Sequence, residues 1–170
     1  MYEKNLDHEI LKLIEAQPEI NDTDIARNLL ISEELVKTLI ANFKDTREKI
    51  LIMSYGSSIY DSLKLALEPE NYSVVKTPGG SSALETVKTE KPDLVLLDTG
   101  HADIDGFEIC KQLKASSRYR WMPVVMLSER GEAKDRVKAF ESEADDYVTT
   151  PLNPLELKAR VRMILKRTRI

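Results

Sequence analysis

Five short apolar runs, separated by amphipathic stretches, constrain the fold of this chain more than any other feature. The runs are KILIM (49–53), YSVVK (72–76), DLVLLD (93–98), PVVML (123–127) and DDYVT (145–149), and the amphipathic stretches lie near residues 58–68, 81–90, 106–115, 133–142 and 154–167. Apolar residues at consecutive positions, instead of alternating ones, are typical of parallel strands that are covered on both faces. Five strands alternating with five helices therefore predict an α/β fold with a five-stranded, doubly wound parallel sheet.

Such a sheet also predicts where a functional site lies. Ligands of doubly wound sheets bind outside the carboxyl ends of the strands, in the crevice formed by the loops that follow them. In this sequence the corresponding segments lie near residues 54–56, 98–103, 128–129 and 149–151. Side chains in these four segments are therefore the first candidates for a site.

The N-terminal part of the chain has a different texture and predicts a small all-α module of three helices. Four apolar residues share one face of the first helix: Leu6, Ile10, Leu13 and Ile14. Pro18 ends that helix, and Asn21 and Ser32 are expected to cap the second and third helices. We therefore expect a three-helix module at residues 1–46 and an α/β domain at residues 47–170.

The composition disfavours membrane and disulfide-rich proteins. No apolar run approaches the ~20 residues that a transmembrane helix needs. The N-terminus lacks the layout of a signal peptide, and the single cysteine, Cys110, rules out an internal disulfide framework. We therefore expect a cytoplasmic protein without membrane contact. Cys110 lies at helical spacing with Phe107 and is expected to be a half-buried core thiol, not a nucleophile.

Motifs over residues 49–168 resemble the receiver domains of two-component response regulators, and most closely the class with a winged-helix DNA-binding output. The similar segments are KPDLVLLD, DIDGFEICKQLK, PVVMLS, DRVKAF and ADDYVTTPLNPLELKARV, in that order. The resemblance implies the flavodoxin-like receiver fold. It also implies that Asp98 holds the position of the phosphoryl acceptor, Ser128 that of the hydroxyl which contacts the phosphoryl group, and Tyr147 that of the aromatic which changes rotamer.

The sequence departs from the family's pattern around the acceptor. Ser54 and Tyr55 stand where the family has two acidic residues that bind magnesium together with the acceptor. Thr150 replaces a lysine, Glu129 replaces a small residue, and Ala102 replaces a loop proline. One carboxylate is a weak magnesium site, and threonine cannot supply the positive charge that phosphoryl transfer needs. We therefore expect weak or absent magnesium binding, no other cofactor, and little phosphorylation of the acceptor.

Asp98 has two interpretations. It is a relic that is hydrogen-bonded to Ser54, Ser128 or the Tyr55 hydroxyl, or it is a residual phosphoryl acceptor. We favour the relic, because a buried carboxylate needs hydrogen-bond partners in any case.

Five other residues carry ordinary expectations. Asp103 and Asp105 match loop positions of the family and are expected to be solvated or to cap a helix. His8 and His101 have no carboxylate or cysteine at metal-ligand spacing and are expected to be surface or loop residues. Trp121 precedes the fourth strand and is expected to pack at its edge.

The segment INDTDIARNLLISEELVKTLI resembles the helix-turn-helix of small bacterial regulators. Three positions carry the resemblance: Ala26, Leu29 and Ser32. Leu30 stands where that family has glycine, which strains a left-handed turn. Glu33 and Glu34 lie where phosphates would approach, Lys37 is the single basic residue of SEELVKTLIAN, and residues 1–46 carry five Lys/Arg against ten Asp/Glu. This charge favours a protein-interaction or dimerisation role, with DNA contact as the alternative.

The receiver resemblance also implies a dimer face. Regulators of the winged-helix class pair through crossed ion pairs between the helix near 133–142, the last strand and the helix near 154–167. The matching pairs are Arg136 with Glu156, Glu141 with Arg162, and Asp145 or Asp146 with Arg160. A homodimer and a monomer with a solvated face both remain open, because exposed ion pairs contribute little.

The sequence therefore predicts an atypical, non-enzymatic response regulator that acts through a protein partner in a two-component pathway. One alternative is a transcription regulator that uses the N-terminal helices on DNA. Another is a conventional phospho-acceptor that is catalytic toward its own Asp98.

Overall fold

The computed structural model describes residues 6–78, 83–99 and 105–169. These residues belong to two compact units, which divide the chain between Thr46 and Arg47. Three residues considered above lie outside the described ranges: His101, Ala102 and Asp103.

The first unit consists of three helices, α1 (Leu6–Ala16), α2 (Asp22–Leu29) and α3 (Glu33–Lys44). The Asn21 side chain accepts a hydrogen bond from the backbone N–H of Asp24 at 2.9 Å, and Ser32 Oγ accepts one from Leu35 at 3.1 Å. Each bond satisfies a helix N–H group that has no partner within the helix. The predicted caps are therefore confirmed. The helices enclose a small apolar core of Ile10, Ile25, Ala26, Val36 and Leu39.

The turn between α2 and α3 is left-handed at Leu30, with φ 57° and ψ 43°. Its backbone N–H donates to the carbonyl oxygens of Ala26 and Arg27, which ends α2. The Leu30 side chain is 91% exposed, so packing does not offset the cost of a left-handed leucine, about 1–2 kcal/mol. The strain expected from the missing glycine is thus present in the turn.

The second unit alternates strands and helices as predicted. Its strands are β1 (Lys49–Met53), β2 (Ser73–Thr77), β3 (Leu94–Asp98), β4 (Val124–Ser128) and β5 (Asp146–Thr149). Its helices are α4 (Ser57–Leu67), α5 (Ala83–Glu90), α6 (Gly106–Ala115), α7 (Ala133–Glu141) and α8 (Pro154–Thr168), with a 3₁₀ turn at Glu68–Glu70. Within the described ranges, no helix is both long enough and apolar enough to cross a bilayer.

The sheet order is β2-β1-β3-β4-β5, and every neighbouring pair of strands is parallel. Alternate residues of a strand pack in two separate cores. Ile50 and Ile52 pack with residues of α4 and α8, whereas Leu51 and Met53 pack with residues of α5, α6 and α7. This two-sided cover explains why the strands are apolar at consecutive positions, and it confirms the doubly wound sheet.

Two contacts fix the ends of the second unit and the start of α6. Arg169, after α8, forms an ion pair with Glu48, before β1, at 2.7 Å. Gly106 begins α6 so close to Thr99 that a Cβ atom there would lie 2.5 Å from Thr99 Cγ2. A larger residue would push α6 away from the segment that follows the acceptor position.

Candidate functional site

The carboxyl edge of the sheet brings the predicted pocket residues together. Asp98 ends β3, and β3 lies between β1 and β4 in the sheet. Ser54 follows β1 directly, Ser128 ends β4, and Thr150 follows β5. The parallel registers place Met53 beside Leu97 and Asp98 beside Leu127, so these chain ends lie at one level.

Asp98 is buried and is hydrogen-bonded to Ser54. Its carboxylate accepts a bond from Ser54 Oγ at 2.9 Å, and the two residues are 7% and 0% exposed. The bond offsets part of the cost of removing a carboxylate from water. The interpretation in which Ser54 is a partner of Asp98 is therefore confirmed. Ser128 Oγ instead accepts a bond from the backbone N–H of Arg130 at 3.1 Å, and Tyr55 is half exposed.

The donor set of the pocket does not fit the magnesium ion that the receiver fold implies. Magnesium binds carboxylate and water oxygens in an octahedron, and the second and third acids of the pattern are replaced by the hydroxyls of Ser54 and Tyr55. Within residues 6–78, 83–99 and 105–169, no group of three or more His, Cys, Asp or Glu side chains could hold a metal ion. The Asp105 side chain caps α6, because it accepts a hydrogen bond from the Glu108 N–H at 3.1 Å.

The remaining two substituted positions lie at the same edge. Glu129 is exposed directly after β4. Thr150 is half-buried, its backbone N–H donates to the Ser128 carbonyl at 2.8 Å, and its peptide bond to Pro151 is cis. A carboxylate and a neutral hydroxyl thus stand where the family's pattern has a small residue and an ammonium group.

The two switch positions meet at the loop that follows β4. Tyr147 is 6% exposed, and its hydroxyl donates to the backbone carbonyl of Arg130. The backbone N–H of Arg130 donates to Ser128 Oγ. Both polar groups of the Arg130 backbone are therefore held by the switch side chains, and the Tyr147 ring is buried.

The edge formed by α7, β5 and α8 holds part of the predicted ion-pair face within one chain. Arg160 donates to Asp146 at 2.8 Å and to Glu156 at 2.7 Å, and these carboxylates raise the pKa of Arg160 above its usual range. The alternative partner, Asp145, is directed away from Arg160. Its carboxylate accepts from Lys114 at 2.8 Å and from the Val124 N–H at 2.8 Å.

Arg162, the predicted partner of Glu141 in a second copy, contacts a different element within one chain. Its guanidinium is 3.4 Å from Glu70, and Lys158, one turn earlier, contacts the same carboxylate. The reason is helical geometry, because residues two apart point about 200° apart around an α-helix and Arg160 occupies the β5 side. Arg136 and Glu141 of the predicted pairs are exposed on α7.

Several exposed apolar residues on α7 and α8 were not predicted from the sequence. They are Val137 at 53%, Phe140 at 54%, Leu155 at 75% and Met163 at 44% exposure. Each is an apolar residue at a position that the helical period places outside the buried stripe of its helix. This pattern in the sequence could have revealed them. They add apolar area to an edge that the ion pairs alone describe as polar.

The structure also describes Cys110, His8 and Trp121. The Cys110 thiol is fully buried and donates to the Ser142 carbonyl at 3.2 Å, and burial raises its pKa to about 11. Deprotonation, and therefore nucleophilic reactivity, is suppressed. His8 is exposed on α1. Trp121 does not pack at the edge of β4 as expected, because it is 79% exposed.

The N-terminus of α3 is already supplied with negative charge. Glu33 pairs with Lys37 at 2.7 Å and accepts from the Thr23 hydroxyl at 3.1 Å. The Lys37 bond, followed by that of Thr23, lowers the pKa of Glu33. The one cation of the candidate recognition segment is therefore paired within α3.

Comparison with known proteins agrees with this geometry. Residues 50–162 match the response regulator receiver domain family. The alkaline phosphatase synthesis transcriptional regulatory protein PhoP of Bacillus subtilis is 41% identical over 123 residues, which are 72% of this chain and 50% of that protein. The chain spans about half the length of the curated relatives that it matches.

Solved structures give the same result. A two-component response regulator of Clostridium difficile has a TM-score of 0.66 and 29% identity, over 73% of this chain and all of that one. The BeF3-activated receiver domain of Klebsiella pneumoniae RstA has a TM-score of 0.63 and 31% identity, over 69% and 98%. The chain therefore belongs to the response regulator receiver family of two-component signalling.

Proposed function

We propose that this protein is an atypical response regulator whose receiver signals through protein contacts without magnesium-dependent phosphorylation of Asp98. The observation that carries the proposal is the 2.9 Å hydrogen bond from Ser54 to the Asp98 carboxylate. A neutral hydroxyl thus contacts the carboxylate from a position where the family's pattern has a metal-binding acid.

The electrostatics of phosphoryl transfer support this proposal. The attacking carboxylate and the phosphoryl donor are both anions, so the pocket must supply positive charge. The Ser54 and Tyr55 hydroxyls are poor magnesium ligands, Thr150 carries no charge, and Glu129 adds a negative one. Each lost stabiliser costs about a hundredfold to a thousandfold in comparable sites, and here several are missing together.

The switch positions support a fixed conformation. A ligand shifts a conformational equilibrium only by its difference in affinity for the two states. Tyr147 is buried, and its hydroxyl is hydrogen-bonded to the backbone carbonyl of Arg130. We therefore expect the buried tyrosine to be the resting state of this receiver, so that its partner surface does not depend on a phosphorylation signal.

The edge of α7, β5 and α8 is the surface that we assign to a homodimer. The exposed Val137 and Phe140 of α7 and Met163 of α8 supply apolar area, and Arg160 of α8 is ordered by its ion pair with Asp146. Exposed ion pairs contribute about 0.2–1 kcal/mol each, so the apolar contacts must provide most of the affinity. Sedimentation of the wild type and of Phe140→Glu tests the assignment, with Lys166→Glu as an exposed control on the Arg162 side of α8. A wild-type monomer at all concentrations would exclude it.

The phosphorylation test uses the full chain. The protein is incubated with acetyl phosphate or phosphoramidate and magnesium, and its intact mass is measured alongside a beryllium fluoride titration. We expect no mass gain and no saturable response. A stoichiometric mass gain that Asp98→Asn abolishes would establish the conventional phospho-acceptor instead.

A transcription regulator that uses α2 and α3 on DNA is the second candidate. Two observations favour it. The Bacillus subtilis relative is a transcriptional regulatory protein, and Ser32 caps α3 after the left-handed turn at Leu30. The excess of acidic residues in 1–46 and the pairing of Lys37 with Glu33 oppose it. Salt-sensitive polarisation changes with genomic fragments, lost in Lys37→Glu, would support it over the first proposal.

A further inference from the structure

We propose that the RYRW loop, residues 118–121 between α6 and β4, is a docking surface for an acidic segment of a partner protein. The proposal deepens the proposed function, since it rests on the chain acting through protein contacts and specifies the chemistry of one contact. The loop lies before β4, at the opposite edge of the sheet from Asp98. It is therefore separate from the phosphorylation pocket.

The loop displays a cation and an aromatic ring together. Trp121, the only tryptophan of the chain, is 79% exposed, and the Arg120 guanidinium carbon lies 5.3 Å from the centre of its ring. Arg118 is placed in the same way at 5.7 Å from the ring of Tyr119. Among the described residues, Arg120 has no acidic partner. A guanidinium over a ring keeps its fork of N–H donors, which matches a carboxylate.

The loop is held in shape from inside by a buried lysine. Lys114 Nζ donates to the carbonyl oxygens of Met122 at 2.8 Å and Arg120 at 3.4 Å, and forms an ion pair with Asp145 at 2.8 Å. The Met122 N–H also donates to the Tyr119 carbonyl at 2.9 Å. A loop that is already ordered loses less conformational entropy on binding, which favours a recognition role over a merely solvated turn.

A second cation lies close to the loop from a different element. Lys91, in the connection between α5 and β3, has a lowered pKa because it is partly buried and, secondly, because Arg118 is near. Two like charges are thus held near each other at one place on the surface. Basic side chains at this place on the surface are complementary in charge to a carboxylate-bearing partner.

An acidic protein segment fits better than a nucleic acid. Single-stranded nucleic acids are bound in long basic grooves by successive aromatic platforms, whereas this loop exposes one large ring. Tryptophan, tyrosine and arginine are also the residues that dominate the energetics of protein interfaces.

The test measures binding of a fluorescein-labelled peptide, made of glutamates around one leucine, to the full chain by polarisation. We expect saturable binding that weakens with added salt. Trp121→Ala and the double variant Arg118→Glu/Arg120→Glu should each raise Kd about tenfold or more. Lys166→Glu/Arg167→Glu changes the net charge equally on exposed residues of α8 and should leave Kd within about twofold.

Three results would overturn the proposal: no peptide binding, equal weakening by the α8 control, or tighter binding of labelled oligothymidylate with the same dependence on Arg120 and Trp121. The last result would assign the loop to nucleic acid. Circular dichroism of each variant verifies folding. Phosphoryl transfer to Asp98 would contradict the proposed function but would leave these peptide affinities unchanged. The failure of the proposed function can therefore be distinguished from the failure of the docking proposal.

Discussion

The interior of the sheet and its carboxyl edge follow the receiver pattern to different degrees. β1, β3 and β4 are buried along their whole length, and both cores beside them are continuous. At the edge, Ser54, Tyr55, Glu129 and Thr150 replace the groups that phosphorylation chemistry uses. The contrast teaches that burial maintains this fold, whereas the chemistry depends on a few side chains that packing does not require. The pocket could therefore change without loss of the fold.

The largest expected effect comes from restoring the edge while the interior stays untouched. Ser54→Asp, Tyr55→Asp and Thr150→Lys together should first recover magnesium binding and then raise phosphorylation of Asp98 by about a thousandfold or more. Calorimetry with magnesium and intact mass after acetyl phosphate measure the two steps. The same triple variant with Asp98→Asn is the control. Failure to bind magnesium would mean that the interior of this receiver has also diverged.

A substitution in the interior should cost stability where one at the edge does not. Leu96→Ala removes a fully buried side chain of β3 and should lower the free energy of unfolding by about 2–5 kcal/mol. Thr150→Ala at the edge should change it by less than about 0.5 kcal/mol. Urea unfolding followed by the fluorescence of Trp121 reports on this unit. Equal losses for both variants would remove the distinction between interior and edge.

The buried thiol predicts a pH dependence that belongs to the interior. Burial raises the pKa of Cys110 from its ordinary 9.0 to about 11, so between these values the unfolded chain loses the proton that the folded chain keeps. Stability from this group is full below pH 9 and falls as the pH rises through the window, by up to about 3 kcal/mol. Urea unfolding at pH 8, 9 and 10 should show a steeper loss for the wild type than for Cys110→Ala. Parallel slopes would contradict it.

The smallest effect is expected in the first unit, where a local backbone rule is broken at an exposed site. Leu30→Gly relieves a left-handed leucine and should stabilise the α1–α3 unit by about 0.5–1 kcal/mol, after the entropy cost of glycine. Leu11→Gly, in the middle of α1, should destabilise the unit by about 1 kcal/mol. Hydrogen exchange of helix amides measures both. Destabilisation by Leu30→Gly would show that the leucine side chain makes a contact of its own.

Local features were predictable from the sequence because their causes lie within a few residues. The Asn21 and Ser32 caps and the strand periodicity are of this kind. Trp121 was misplaced because its exposure depends on how Lys114 shapes the loop through the distant Asp145. Sequence spacing gives no measure of such long-range contacts.

The pocket was predictable only as far as the resemblance assigned positions. It named Ser54, Ser128 and Tyr55 as possible partners of Asp98, and geometry was needed to show that the Ser54 hydroxyl contacts it. The pair of Glu141 with Arg162 stays a prediction, and the crossed-pair pattern gave no sign of the contact that Arg162 makes with Glu70 within one chain. Rotation about a helix axis is set by the whole buried face of Leu157, Val161 and Ile164.

The ion pair between Glu48 and Arg169 has a consequence for protein engineering. It brings residues near the two ends of the α/β unit within side-chain reach, on the edge of the sheet where the strands begin. A domain whose ends meet can be spliced into a surface loop of a host protein through short linkers, or circularly permuted, without stretching its core. Inserted in this way, the unit would present its strand carboxyl ends away from the host, so a restored Asp98 pocket would stay open to phosphoryl donors.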